Sequence, residues 1–462
     1  MSATSEQQMN EQLADLEQLA AQVVERALAA GVDVAEAIAR AGSELTTKVR
    51  MGEPELVEEA SHRGIGLRVI KDRRVALTST SDLTKRGLDQ FVRDALELCD
   101  VSQEDPFAGP ADPELVAKAL PTRDDLYDPS VGGITAAEAL DWAKRGEKAA
   151  LDADPRIQNS DGSTFSRVAG GFSLVLSGGF RGGYATSYAS LVVVPVAEDE
   201  GNKKRRGSHW TARRHFADLD PAEKVGAEAA RRTLRKLGAR KVPSCEAPVI
   251  FEPDAARAIV GMLAGSIMGS SIWRKQSYLA GRIGTQVASE LCTVVDDPFL
   301  ARAPGSRPFD GEGLPSRRNV VVEAGKLLTY LCDSYSGRKL DRPSTASAAR
   351  GGSGDVGPST TNFVLQPGNA SAEEILASTK RGLLVTEMMG FGFNALTGDF
   401  SRGASGFWIE DGAIAHPVSE ITISLNADEL FKRIDAIGND LDLRTATASP
   451  TIRVAAMTIA GS

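Results

Sequence analysis

The stretch Asn394–Ser424, NALTGDFSRGASGFWIEDGAIAHPVSEITIS, constrains the fold of this chain more than any other. Gly398, Gly403 and Gly406 punctuate its first half, ahead of an apolar run at Phe407–Ile409. Asp411-Gly412 follows, and then a second run, Ala413–Val418. An Asp-Gly pair between two apolar runs predicts a two-residue hairpin, because both central residues of a type I′ turn need positive φ. The glycines upstream permit bends and close backbone approach that a side chain would forbid. Two readings stay open: a glycine-rich turn lining a ligand cleft, or glycines that bend strands in a packed sheet, which is the commoner use.

Composition agrees with a turn-rich, strand-rich chain, since 45 glycines stand against an aromatic content of 5%. The length of 462 residues allows two or three domains, and 42% hydrophobic with 25% charged residues is ordinary for a globular protein. A net charge of −9 argues against broad binding to nucleic acid or anionic lipid, which need a cationic surface. Cys99, Cys245, Cys292 and Cys332 lie far apart with no CxxC pair, which fits a reducing cytoplasm better than a disulfide framework. The polar N-terminus MSATSEQQMNEQ lacks the apolar core of a signal peptide, and no apolar run is long enough to span a membrane.

The fold class expected is α+β, with helix–sheet–helix units ahead of a β-rich C-terminal domain carrying βαβ-like insertions. Residues 1–100 read as an N-terminal α+β domain. Leu13, Leu16, Ala20, Val23 and Ala27 mark one helix face, and Gly31 stops the helix. Strands are expected at Glu44–Arg50, Gly66–Ile70 and Val75–Ser79, then a helix over Leu83–Leu98 capped by Ser81 or Asp82. Residues 101–133, rich in Pro, Asp and Gly, read as a surface linker. Residues 134–243 repeat the order: a helix opened by the capping box Thr135–Glu138, strands at Gly162–Val168, Phe172–Ser177 and Tyr184–Val196, and a helix over Pro221–Leu237. Residues 244–462 form the third region. There Pro248–Phe251 reads as a strand, Asp254 as the N-cap of a helix Ala255–Ile267, and Ala324-Gly325 as a hairpin turn. Ser344–Thr361 is a long loop of the kind kept for function or disorder, and a capped helix at Ser371–Glu374 ends by Gly382.

The run TGDFSRGASGFWIEDGAI resembles the C-terminal signature of the TldD/PmbA family, on its PmbA (TldE) side, and ASELCTVVDD at Val287–Asp297 resembles a second family block. The resemblance extends from about Leu16 to the C-terminus. It implies a subunit of a dimeric protease enclosing a chamber, in which the TldD half binds a catalytic zinc through HExxxH and cleaves unfolded peptides. Carried onto this chain from Ala280–Gly284 backwards, the two histidine positions fall on Val260 and Gly265 and the glutamate position on Gly261. None of the three can bind metal or move a proton. No His occurs between Phe216 and Ala415, and the family's late cysteine ligand is replaced by Thr445–Pro450, TATASP. No cofactor is therefore expected in this chain, with zinc only in a TldD-like partner. The partner is that subunit or a second copy of this chain, with unfolded peptide as substrate. Thr397, Gly398, Asp399, Ser401, Arg402 and Gly403 are the candidate peptide-binding residues, through backbone hydrogen bonds to an exposed strand edge. The alternative is a non-enzymatic regulator, in line with the family's label as gyrase modulators.

Other chemistry is thinly supported. His62, His209, His215 and His416 are scattered, and neither GxSxG nor a Walker lysine is present. Cys292 reads as a buried strand cysteine rather than a nucleophile, and Asp296-Asp297 as a turn before Pro298 rather than an acid/base pair. Lys203–Arg206 with Arg213-Arg214 and Trp210 reads as a solvated basic hairpin tip or an acidic-ligand grip. Arg231, Arg232, Arg235 and Lys236 would strengthen that grip if they share its face.

Overall fold

The computed structural model describes residues 2–461. Helix α1 (Ser2–Ala29) buries Leu16, Ala20, Val23 and Ala27 completely, as their spacing requires, and Gly31 closes it at φ +94. The first strands run β1 (Val34–Arg50), β2 (Glu53–Lys71) and β3 (Arg74–Thr80), followed by α2 (Lys85–Val101). The first two are far longer than expected. Their missed halves are rich in alanine or charge, which local propensity does not read as strand. Tertiary packing explains them: Ala35, Ala37 and Ala39 alternate inward and are fully buried in the core formed with α1 and α2. The cap of α2 is Thr84, whose hydroxyl accepts from Gly87 N at 3.1 Å; Asp82 instead accepts from Thr84 N, and Ser81 takes no part in the cap.

The segment expected to be a linker holds the short helix α3 (Pro129–Gly132), buries Leu126 and Val131, and is pinned where Arg338 donates to Phe107 O at 2.8 Å and Pro110 O at 3.0 Å. Helix α4 (Ala136–Leu151) opens on the expected box, Thr135 and Glu138 each bonding the other's backbone. Then come β4 (Ile157–Leu176), β5 (Arg181–Asp199), β6 (Lys203–Arg206), β7 (His209–Arg213) and α5 (Ala222–Leu234). Strand β4 pairs with β1 from Glu36↔Leu176 to Val49↔Ser163. Both helix–strand–helix units thus contribute to one antiparallel seven-stranded sheet, in the order β3-β2-β1-β4-β5-β6 with β7 also on β5.

The last third begins with β8 (Cys245–Phe251) and α6 (Pro253–Ser266). The strands β9 (Val294–Asp296), β10 (Asn319–Glu323), β11 (Lys326–Leu327), β12 (Ala348–Arg350), β13 (Val356–Pro358) and β14 (Phe363–Leu365) follow. The chain ends through β15 (Arg381–Met389), β16 (Asp399–Glu410), β17 (Ala413–Asn426), β18 (Ile434–Ile437), β19 (Thr447–Ala448) and β20 (Ile452–Ala460). Strands β11-β10-β9-β14-β19 form a five-stranded sheet, while β17-β16-β15-β8-β20 close into a ring through a β17–β20 pairing. Strands β8 and β15 pair in parallel in the ring, as β14 and β19 do in the five-stranded sheet. The connection from β8 to β15 runs through α6 and β9–β14, and the strands flanking the short helix Ala372–Ala377, β14 and β15, lie in different sheets. Helix α6 shares a single core with both sheets.

The Asp411-Gly412 hairpin is as the sequence predicts, with φ of 48° and 76° and Glu410 opposite Ala413. Ala324-Gly325 turns likewise, at 44° and 77°. The long loop 344–361 is ordered as the β12–β13 hairpin, and its Arg350 reaches the buried Glu36 of β1 at 2.7 Å. Asp296 is the buried last residue of β9, not a turn residue; Asp297 makes the turn, its carboxylate accepting from Phe299 N at 2.9 Å. Among the described residues no helix is long and apolar enough to cross a membrane.

Candidate functional site

Helix α6 builds one wall of a cleft. Pro253 fits its first turn because its ring already holds the helical φ, so Glu252 precedes the helix and Asp254 lies inside it rather than capping it. Asp254, Arg257, Ala258 and Gly261 fall at steps of three and four, one face, and all line the cleft. Arg232 at the end of α5, with Arg235 and Lys236 just beyond it, forms the opposite wall by the same spacing. Trp210 of β7, Glu387 and Met388 of β15, Arg402 of β16, and Thr445 with Thr447 complete a hollow of about 600 Å³. That volume lies within the range of small-ligand and peptide side-chain pockets. A larger, mainly apolar hollow of about 860 Å³ beside α4, floored by Trp142 and Phe216, holds none of the predicted residues.

Five cations and two carboxylates line the first cleft, an excess of basic side chains in an acidic chain. Four of the cations have partners. Arg232 donates to Glu228 at 2.9 Å and lies 3.5 Å from Asp254; Arg235 meets Glu252 at 3.0 Å; Lys236 meets Glu387 at 2.7 Å; Arg257 lies 3.7 Å from Asp254. Arg235 also covers the Phe407 ring at 4.9 Å, and burial holds its pKa below the usual arginine value despite Glu252. Trp210 stacks between Arg257 at 5.5 Å and Arg444 at 4.4 Å. Arg402 is the exception: among the described residues its side chain makes no hydrogen bond or ion pair, and its buried Nε has no partner. Beside this wall, burial with the charges of Arg232 and Arg444 pushes His209 down to about 4, so it is neutral at pH 7.

Of the six candidate peptide-binding residues, Arg402 alone lines the cleft. The backbone of that stretch offers no free strand edge. Strand β16 pairs with β17 along Asp399–Ala404 and with β15 from Gly403 onward, and Ser401 N donates to Gly392 O at 2.7 Å. The strand-edge expectation is corrected accordingly, and what the stretch presents to the cleft is a side chain. The basic loop divides in two. Lys203, Lys204 and Arg206 are solvated on β6, whereas Arg214 is buried and donates to the carbonyls of Ala303 and Leu126. Cys292 is buried just before β9, and desolvation pushes its thiol up to about 12, unfit for a nucleophile. The sequence reading missed Arg257 and Glu387; only the helical period from Asp254 to Gly261 could have drawn in Arg257.

The residues at the positions that the resemblance assigns to the metal do not fit zinc. Val260 lies on the core face of α6 with 1% exposure, Gly261 lines the cleft without a side chain, and Gly265 adds no donor. Among the described residues no three His, Cys, Asp or Glu side chains converge as a metal site would require.

Fold and cleft together have counterparts among known proteins. Profiles of PmbA/TldA metallopeptidase domain 1, the central domain and the C-terminal domain match residues 35–99, 129–237 and 244–461. The chain therefore belongs to the PmbA/TldD metallopeptidase family. It is similar to the metalloprotease PmbA of Escherichia coli O157:H7, 37% identical over 93% of this chain and 92% of that one. A proposed modulator of DNA gyrase from Bacteroides thetaiotaomicron superposes with a TM-score of 0.89 at 27% identity, covering 96% of this chain and 98% of the other. TldE of Thermococcus kodakarensis, at 21% identity, shares the fold with a TM-score of 0.86 over 96% and 100%.

Proposed function

We propose that this chain is the non-metal, PmbA/TldE-like subunit of a TldD/PmbA-type protease, working in the cytoplasm on unfolded peptides. A zinc-bearing TldD-like partner supplies the hydrolytic centre; this chain supplies wall, interface and grip. The observation that carries the reading is the cleft on α6. The helix that should bear the zinc ligands is present and packed, and its cleft face is open, yet Val260, Gly261 and Gly265 carry no donor. The partner has a surface available at the end of β15 and in the loop after it, where Met389, Phe391 and Leu396 are exposed, Phe391 entirely so. The four cysteines are unpaired, which suits a reducing compartment.

Two measurements test the reading. Elemental analysis of the purified chain is expected to find no stoichiometric zinc, and a casein-derived unfolded peptide is expected to survive incubation with it. Addition of a zinc-bearing TldD-like relative should start cleavage that a chelator stops. One tightly held zinc per chain, or cleavage by the chain alone, overturns the proposal, because tight binding needs a complete ligand set.

A further inference from the structure

We infer that the α6 cleft is a carboxylate-binding subsite, selecting peptides that bring a negative charge into it, and that Arg402 is its principal ligand. The inference rests on the proposed peptide-handling role and adds a chemical class of substrate to it. Three observations carry it. First, positive charge exceeds negative among the lining groups although the chain as a whole carries −9. Second, each of the other four lining cations is ion-paired with Glu228, Glu252, Asp254 or Glu387, whereas Arg402 has no ion pair among the described residues; its Nε is buried without an acceptor, as is that of Arg235. A buried guanidinium N–H without an acceptor is costly, and a carboxylate is the group whose geometry satisfies it bidentately. Third, a Cβ added at Gly261 would meet nothing within 4 Å, so the floor beneath the cations is open. Trp210 and Met388 give the same hollow an apolar side for the peptide stem beside the charge.

Two sources could bring the carboxylate: the C-terminus of a peptide, or an Asp or Glu side chain within it. Both place two oxygens on Arg402, and the experiment separates them. The full chain is titrated into short fluorescein-labelled unstructured peptides, and anisotropy is read. One peptide has a free C-terminus and no acidic residue, one an amidated end and a single internal Glu, and one an amidated end with Gln in that place. The charged peptides are expected to bind about 10-fold or more tighter than the neutral one, and whichever charged peptide shows the gain names the source. Arg402→Ala should erase the difference. Gly261→Glu should erase it too, because it sets a competing carboxylate in a cleft with room for it, and replacing a helical glycine leaves the helix at least as stable. Equal affinity for all three peptides, or a charge preference untouched in both variants, overturns the carboxylate subsite while leaving peptide handling intact. Failure to bind any peptide, alone or with a zinc-bearing relative present, overturns both readings.

Discussion

Arg402 and Arg235 face one cleft and differ in what they hold. Arg235 is tied to Glu252 at 3.0 Å and packed over Phe407, so its guanidinium is part of the wall. Arg402 holds nothing. Arg402→Ala should therefore leave the melting temperature nearly unchanged, within the roughly 0.5 kcal/mol of an uncommitted substitution. Arg235→Ala strands Glu252 and uncovers the ring, with an expected loss of about 1–3 kcal/mol. Parallel thermal melts decide it; a large loss at Arg402 would make that residue structural. Neither outcome is legible from local sequence, which shows an arginine in each place but not what either pairs with.

Helix α6 carries the positions that the resemblance assigns to the zinc ligands, and the proposed non-metal role is tested there. Rebuilding HExxxH as Val260→His, Gly261→Glu and Gly265→His is expected to yield no tight zinc and no peptidase activity. Space is available at Gly261 and Gly265, where an added Cβ meets nothing, so overpacking is not the obstacle there. Val260 is the obstacle: it faces the core beside Ala256, Ile259 and Leu263, so an imidazole at that position is buried away from the cleft. Replacing a packed valine by a larger polar ring should cost about 1–3 kcal/mol. Two imidazoles without a third ligand would also hold metal weakly, and Thr445 and Thr447 bring no thiolate to the opposite wall. Isothermal titration with zinc checks this. One tight site with peptide cleavage by the unaided variant would show a preorganised centre and refute the picture.

Across the whole molecule, Glu36 ties distant parts of the chain together. It lies fully buried on β1, 2.9 Å from Arg68 of β2 and 2.7 Å from Arg350 of the β12 hairpin. Desolvation alone would raise its pKa, but the two arginines outweigh it and bring the value down from 4.5 to about 2. A carboxylate lowered on folding contributes stability that is complete above pH 4.5 and is lost as pH falls toward 2. His209 acts over a different window. It is neutral in the fold, so the unfolded chain binds more protons between pH 6.5 and about 4, and stability falls as pH drops through that range. Glu36→Gln should cost about 3–5 kcal/mol by leaving two arginines buried without a counter-charge, and should flatten the acid limb below pH 4.5. His209→Gln should flatten the limb above it. Denaturant titrations across pH measure both; an unchanged acid limb in the Glu36 variant would remove that residue from the account.

The sequence by itself determined the α+β class, the apolar face of α1, the capping box of α4 and the two-residue turns at Ala324-Gly325 and Asp411-Gly412. Each is local, decided by residues within a few positions of one another. It also determined that Val260, Gly261 and Gly265 bring no metal donors, since that depends on residue type alone. Tertiary structure decided the rest. The alanine-rich start of β1 is a strand because β2 and β4 pair with it and helices cover it, and no propensity contains that information. The glycines of β16 lie in a strand paired on both sides, so that stretch presents the cleft with one side chain, Arg402, and no backbone edge. The cleft joins α5, α6, β7, β15, β16 and the chain at the start of β19, and its lining residues Ser208 and Thr447 lie 239 positions apart in the chain. Which arginine is free to bind depends on which carboxylates pair with the others, and those pairings exist only once the chain has folded.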